Sequence, residues 1–224
     1  MARHFFVLFV TAVLVQYSAS NPIPVSTNNQ GSLFETKNTY GNIYENKYFN
    51  VTAEKPESWH TINTEIFATF IQNIASPILS QISNITGHDE TIPPNYLIPL
   101  FGFSHYQFGI DNGSVNANFI GIVQNVTRDG LLQNNCDIFS VDLVNLVTDM
   151  NVTRAGGCQE IDMNGFKYVE QKSEVQLSNS VTVNQIQYIR SSPNGYLFTF
   201  TMTYQNNNER DELLNIMESV RFVV

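Results

Sequence analysis

Ser104 and His105 are the residues whose types come nearest to hydrolytic chemistry, and they stand in a Gly-Phe-Ser-His run. Serine hydrolases of the α/β class need Gly-x-Ser-x-Gly on a sharp strand-to-helix turn, and that motif does not occur in the chain. A histidine next to a serine in sequence rarely serves as its base, so ordinary packing is the preferred interpretation. A hydrolase built on His60, His88 or His105 is the third of three functional hypotheses, and no catalytic residue is predicted.

Three consecutive residues, His88, Asp89 and Glu90, carry side chains that bind metals. Side chains of consecutive residues diverge, so these three cannot converge on one ion without ligands from elsewhere. A solvated turn before Pro93 and Pro94 is the preferred interpretation. The sequence also lacks HExxH, zinc-finger spacings, a Walker loop and GxGxxG. We therefore predict neither a metal nor a cofactor.

An aromatic stripe near the C terminus could line a pocket for an apolar ligand. The candidate ligand-binding residues are Tyr188, Phe198, Phe200 and Tyr204, joined by Tyr196 and Met202. The alternative is that the stripe forms the core beneath a helix, and we favour this alternative.

The stripe lies on a predicted antiparallel hairpin. Residues 196–204 alternate apolar and polar side chains, which predicts a strand with one buried and one half-exposed face. Residues 181–190 predict the partner strand, with a β-bulge near Asn184 and Gln185 because the apolar parity slips there. Between the strands, Pro193, Asn194 and Gly195 predict a turn.

A helix is predicted to follow the hairpin. An asparagine cap and the acids Glu209, Asp211 and Glu212 favour a helix N-terminus, where the helix dipole attracts negative charge. The apolar residues of its buried stripe, spaced for one helix face, are Leu213, Ile216, Met217 and Val220. We expect this stripe to pack on the neighbouring sheet.

The first 20 residues have the pattern of a secretory signal peptide. Arg3 and His4 precede an apolar run over residues 5–15, and small residues precede a cut before Asn21. The run is too short to span a bilayer, which takes about 20 residues. Removing Arg3 with this segment leaves an acidic chain without a basic cluster, which disfavours nucleic acid and anionic membranes as partners. We therefore expect secretion without a transmembrane segment.

An exported chain can carry a disulfide and glycans. Cys136 and Cys158 are the only cysteines, and in an oxidising compartment we expect them to pair, closing a loop of about 20 residues and adding roughly 3 kcal/mol. The glycosylation sequons are at Asn50, Asn84, Asn112, Asn125 and Asn151. The composition gives about four sequons by chance, so their number is not enriched, although each exposed one is an acceptor.

The remaining pattern predicts one α+β domain over residues 44–224 after a flexible tail at 21–43. Helical spacing recurs over 65–74 and 137–150, and strands are predicted near 48–53, 96–103, 115–126, 158–161 and 166–175. A turn with an Asn-Gly signal at Asn164 and Gly165 is predicted to join the last two strands. Trp59 is expected to plug the edge of the core. Without strict βαβ alternation, the order of elements predicts an α+β domain with a mostly antiparallel central sheet and helices packed on it.

The two ends of this domain resemble PsbP-like and Mog1-like domains. The opening similarity runs from Tyr48 through the Pro56-x-x-Trp59 turn, and the closing one covers the last hairpin and a helix that finishes on Ser219-x-x-Phe222. This resemblance implies an α-β-α sandwich that serves as a binding or assembly module. It supplies no catalytic residues, and the secreted, acidic character of this chain argues against inheriting that family's partners.

Together these features predict a secreted, monomeric, non-enzymatic glycoprotein that binds an extracellular protein or small ligand, as factors in saliva or venom do. The alternative is an extracellular carrier of small apolar molecules, with a pocket under the C-terminal hairpin.

Overall fold

A computed structural model describes residues 36–63, 67, 97–107, 115–125, 151–154, 157–178 and 181–222. These residues form twelve strands and one helix. The strands are β1 (Thr36–Tyr40), β2 (Ile43–Asn46), β3 (Val51–Glu54), β4 (His60–Thr61), β5 (Leu97–Ser104), β6 (Asn118–Asn125), β7 (Asn151–Arg154), β8 (Gln159–Met163), β9 (Phe166–Ser178), β10 (Val181–Ser191), β11 (Tyr196–Tyr204) and β12 (Arg221–Phe222). The helix, α1, spans Asn207–Ser219.

The strands form two antiparallel sheets. The large sheet has the order β4-β5-β6-β11-β10-β9-β7, with β8 also pairing with β9. The small sheet has the order β1-β2-β3-β12. The described residues thus form one mostly antiparallel α+β domain, as predicted, with the C-terminal hairpin at the centre of the large sheet.

Both predicted hairpin turns are present. Asn164 and Gly165, with φ of 54° and 78°, link β8 to β9, and Gly195, with φ of 80°, closes the turn between β10 and β11. Asparagine and glycine tolerate this left-handed region, which hairpin turns require. The Asn-Gly signals therefore located two of the connections correctly.

Helix α1 begins with a capping box. The Glu209 amide donates to Asn206 Oδ1 (3.1 Å), and the Asn206 amide donates to Glu209 Oε2 (3.4 Å). Leu213, Ile216 and Met217 are buried along the predicted stripe and lie in the same core cluster as Phe200. The predicted helix, its acidic first turn and its buried face are all confirmed.

A stack of phenyl rings crosses the large sheet on the side covered by α1, which we call the aromatic face. The rings of Phe101 and Phe200, on β5 and β11, lie 6.1 Å apart and nearly parallel. Gly121 on β6 pairs with both residues, and a Cβ atom placed there would lie 2.9 Å from the Phe101 ring. The glycine therefore gives these rings the room to stack across the intervening strand.

Replacing Gly121 with alanine is expected to lower the free energy of unfolding by about 1–3 kcal/mol, the usual cost of overpacking a core. Urea denaturation measures the change. The matched control is Gly157→Ala, because nothing lies within 4 Å of a Cβ atom at Gly157. Equal effects at the two glycines would show that the ring stack does not require the gap.

Three sequence predictions differ from the structure. The register of β10 with both neighbours runs without interruption through Asn184 and Gln185, and the shift lies between Val181 and Thr182 instead. The apolar parity slips because both faces of β10 are buried, so no bulge was needed to explain it. The face of β11 that bears Thr199 and its alternate neighbours is buried as well, not half exposed.

The third difference concerns the start of ordered structure. Strand β1 and Ile43 of β2 fall within the predicted tail at 21–43, so the folded part begins before residue 44. Edge strands of a small sheet need little apolar sequence when a neighbour supplies their hydrogen bonds. The signal peptide, most of the predicted helix at 65–74 and the whole of that at 137–150 lie outside the described residues; Phe67 is helical and buried. No helix in the described ranges combines the length and hydropathy needed to cross a bilayer.

Candidate functional site

The predicted ligand-binding residues lie on the aromatic face. Tyr188, Phe198 and Phe200 are buried, whereas Tyr204 is half-buried at the end of β11. Alternation along antiparallel strands brings them to one side of the sheet, since Tyr188 pairs with Phe200 across β10 and β11.

The protein's own side chains pack against these residues. The Phe222 ring on β12 lies 5.0 Å from the Phe198 ring and 6.3 Å from the Phe200 ring. The Phe49 ring also lies 5.8 Å from the Phe198 ring. With the buried stripe of α1 in the same cluster, these contacts give the aromatic residues the environment of a hydrophobic core.

A polar group borders this core at Tyr188. The side chain of Tyr188 hydrogen-bonds to Glu170 on β9. Glu170 is buried, accepts a hydrogen bond from Gln159 Nε2 (2.7 Å) and pairs with Lys172 Nζ (3.0 Å). Burial, and then the charge and hydrogen bond of Glu170, raise the pKa of Tyr188. The phenol therefore remains a hydrogen-bond donor at neutral pH.

The Ser104 and His105 side chains are not joined by a hydrogen bond in the described structure. Ser104 is buried, and its hydroxyl donates to the Tyr106 carbonyl (2.7 Å). His60 lies opposite Ser104 across β4 and β5 but is exposed. The predicted preference for packing over catalysis thus accounts for the contacts of Ser104.

Trp59 plugs the core edge, as predicted, and is only 3% exposed. Its Nε1 donates to Glu212 Oε2 on α1 (2.9 Å). Lys55 Nζ donates to the carbonyls of Pro56 and Trp59, and the Trp59 amide donates to the Pro56 carbonyl (3.0 Å). Burial lowers the pKa of Lys55, while Glu57 opposes this shift. The buried ammonium therefore holds together the turn that presents Trp59.

Three stacked rings lead from Trp59 to the surface, and we call them the aromatic ledge. The His105 ring stacks on Trp59, with centroids 5.5 Å apart, and Tyr106 stacks on His105 at 4.7 Å. Tyr106 is 42% exposed. A rigid aromatic surface with a polar tip is a common element of binding interfaces.

The predicted metal, disulfide and glycan residues are only partly described. His88, Asp89, Glu90, Cys136, Asn84 and Asn112 lie outside the described residues. The residues that are described contain no cluster able to hold a metal. Cys158 carries no free thiol, while its pairing with Cys136 stays a prediction. Among the described sequons, Asn50 is exposed in a tight turn, Asn125 is half-buried and Asn151 begins β7.

Sequence reasoning missed a polar layer on the opposite side of the large sheet, which we call the amide face. Two adjacent cross-strand rows supply it, and its buried members are Asn118, Gln171, Ser173, Gln185, Gln187, Thr201 and Thr203. Gln185 Nε2 donates to Thr203 Oγ1 (3.2 Å), whereas Gln171 Oε1 and Thr201 Oγ1 have no hydrogen-bond partner in the part of the chain that the structure describes. The signal was the Gln-x-Gln and Thr-x-Thr spacing on neighbouring strands.

No protein-family model matches the chain, and no curated protein matches its sequence. The chain is similar to the solution structure of cyanobacterial PsbP from Synechocystis sp. PCC 6803, with a TM-score of 0.47 and 12% identity over 89% of this chain and 98% of that one. It is also similar to a crystal structure of a protein from Bacteroides thetaiotaomicron VPI-5482, with a TM-score of 0.40 and 8% identity over 78% of this chain and 46% of that one. The first comparison names the same family that the two ends of the sequence resemble.

Proposed function

We propose that this chain is a secreted, non-enzymatic glycoprotein domain that binds an extracellular protein or small ligand through its surface, as saliva or venom factors do. The packing of the aromatic face supports this proposal most directly. Because Phe198 and Phe200 contact Phe222 and share a cluster with α1, recognition falls to exposed groups such as the aromatic ledge. We propose that the chain acts as a monomer.

The proposed architecture is an α-β-α sandwich of the PsbP-like and Mog1-like type. Its support is the burial of the amide face, which requires a cover, together with the helical, buried Phe67 that follows β4.

Expression of the full chain in secretory animal cells tests export, glycosylation and the disulfide together. We expect the medium to contain protein beginning at Asn21, with a glycan on the exposed Asn50 and Cys136 joined to Cys158 in non-reducing peptide maps. The Asn50→Gln variant should lose one glycan and still be exported. Retention in the cell with residues 1–20 uncut would refute secretion, and two free thiols would refute the bridge.

Surface binding and the carrier alternative are separated by two probes. A photo-crosslinking amino acid in place of Tyr106 should capture a partner from the native secretion, whereas the same probe at Tyr40, which is 82% exposed, should not. A carrier would instead bind the apolar fluorophore 1-anilinonaphthalene-8-sulfonate in its native state, with saturation near one molecule per chain. Such saturation, with no crosslink at Tyr106, would favour the carrier.

A further inference from the structure

A cationic cleft lies at the end of β10, away from the aromatic ledge. Arg190 Cζ is 4.2 Å from the centroid of the Phe166 ring and 4.0 Å from that of Phe222. The two rings are 5.2 Å apart at 66° to each other, so the guanidinium sits in the angle between them. We call Arg190, these rings, Tyr168 and Arg221 the arginine cleft.

Arg190 has no anionic partner in the described part of the chain. The ion pairs found there join Lys172 to Glu170 and Arg210 to Asp211. Burial lowers the pKa of Arg190, and the other ionisable group that affects it is Tyr168. Aromatic rings attract a cation through their faces but leave its five N–H donors unsatisfied. A half-buried cation without a carboxylate is unexpected in a chain with 20 acidic and 11 basic residues.

A second unpartnered group belongs to the same cleft. Tyr168 is fully buried, and its hydroxyl has no hydrogen-bond partner among the described residues. The charged groups that act on Tyr168 are Arg190 and Arg221. Buried hydroxyls are normally hydrogen-bonded, and an exception calls for an explanation.

Arg221, the residue before Phe222, is the second cation that acts on Tyr168. It is exposed, and its Nη1 donates to the carbonyls of Glu218 (2.5 Å) and Val220 (2.9 Å). These bonds fix the side chain while its remaining N–H groups are left for another acceptor. The next residue, Phe222, forms one wall of the cleft, so the two arginines flank that wall.

We propose that the arginine cleft binds a dianionic oxyanion of the phosphate or sulfate class. The N–H edge of a guanidinium matches two oxygens of such a group. Arg190 supplies that edge from between the aromatic rings, Arg221 adds a second cation beside Phe222, and the Tyr168 hydroxyl is a further donor. The site depends on neither secretion nor the aromatic ledge, so it can be tested independently of the function proposed above.

Calorimetric titration of the full chain with inorganic phosphate, at constant ionic strength set by sodium chloride, tests the site. We expect saturable binding that weakens roughly tenfold to a hundredfold in Arg190→Gln, the range for lost charged hydrogen bonds. The control Arg210→Gln should bind as the parent does, because Arg210 pairs with Asp211 elsewhere. Parent-like affinity in Arg190→Gln, or no saturable binding in the parent, would overturn the proposal.

Two further variants keep the test decisive if Arg190→Gln does not fold. Arg221→Gln alters an exposed side chain and should also weaken phosphate binding, whereas unchanged affinity would contradict the role of the second cation. Tyr168→Phe should weaken binding several-fold; a purely structural hydroxyl would leave the affinity unchanged.

Parallel titrations with sulfate and acetate define the class. Phosphate or sulfate should bind more tightly than acetate, because two cations favour a dianion over a monoanion. The relative affinities for phosphate and sulfate indicate whether the natural ligand carries a phosphoryl group or a sulfate ester. Tighter binding of acetate would refute the dianion assignment.

Discussion

Replacing Phe200 with alanine is expected to lower the free energy of unfolding by about 3–5 kcal/mol, the range for removing a buried phenyl ring. Phe200 is fully buried, and its ring lies 6.1–6.4 Å from those of Phe101, Phe119, Tyr168 and Phe222. The loss would be a large share of the 5–15 kcal/mol that stabilises a typical domain. Urea denaturation followed by circular dichroism measures it.

Tyr40→Ala is the control, because Tyr40 is 82% exposed and its truncation should change stability by no more than about 0.5 kcal/mol. A loss under about 1 kcal/mol for Phe200→Ala would contradict the core assignment. The Phe200→Asp variant separates the core assignment from the carrier alternative. If Phe200 is a core residue, this substitution should abolish soluble export, whereas normal folding with lost ligand binding would support the carrier alternative.

The second large effect is expected at alkaline pH. Burial raises the pKa of Tyr168 to about 12, with Arg190 and Arg221 opposing the shift, while an unfolded tyrosine titrates near pH 10. Above pH 10 the unfolded chain therefore binds fewer protons than the folded one. The free energy of unfolding keeps the whole Tyr168 contribution below pH 10 and falls as the pH rises toward 12, by up to about 3 kcal/mol from Tyr168 alone.

Tyr188 adds to this loss, because burial and Glu170 raise its pKa as well. Urea midpoints measured from pH 8 to 12, with tyrosinate absorbance recorded in parallel, test the expectation. The loss between pH 10 and 12 should shrink in Tyr168→Phe and again in Tyr168→Phe/Tyr188→Phe. An undiminished loss in the double variant would assign it to other groups.

Local signals made the C-terminal part predictable. The capping acids and the stripe from Leu213 to Val220 specify α1 with residues close in sequence, and Asn194 and Gly195 specify their turn. These preferences act within a few residues, so periodicity and turn chemistry located both elements. The same reasoning favoured core packing for Phe198 and Phe200.

The pairing of strands that are far apart in the sequence could not be predicted from the sequence. Alternation along β11 indicated two different faces but could not show that the threonine face is buried. A strand with buried threonines has the same sequence pattern as one with exposed threonines. The arginine cleft is a similar case. Phe166 and Phe222 are 56 positions apart in the sequence, and only tertiary folding brings both rings to Arg190. The tail was misplaced for the same reason, since β1 depends on pairing with β2.

The amide face disfavours shifted registers between the strands of the large sheet. A buried polar atom costs about 1–3 kcal/mol when it has no partner, and Gln171 and Thr201 have none among the described residues. If the register between β10 and a neighbouring strand slipped by one residue, the side chains of β10 would exchange faces of the sheet. Its glutamines would then lie against phenyl rings and its aromatic residue among amides. Two buried faces that differ in polarity thus penalise every odd slip, which favours a single alignment of the strands.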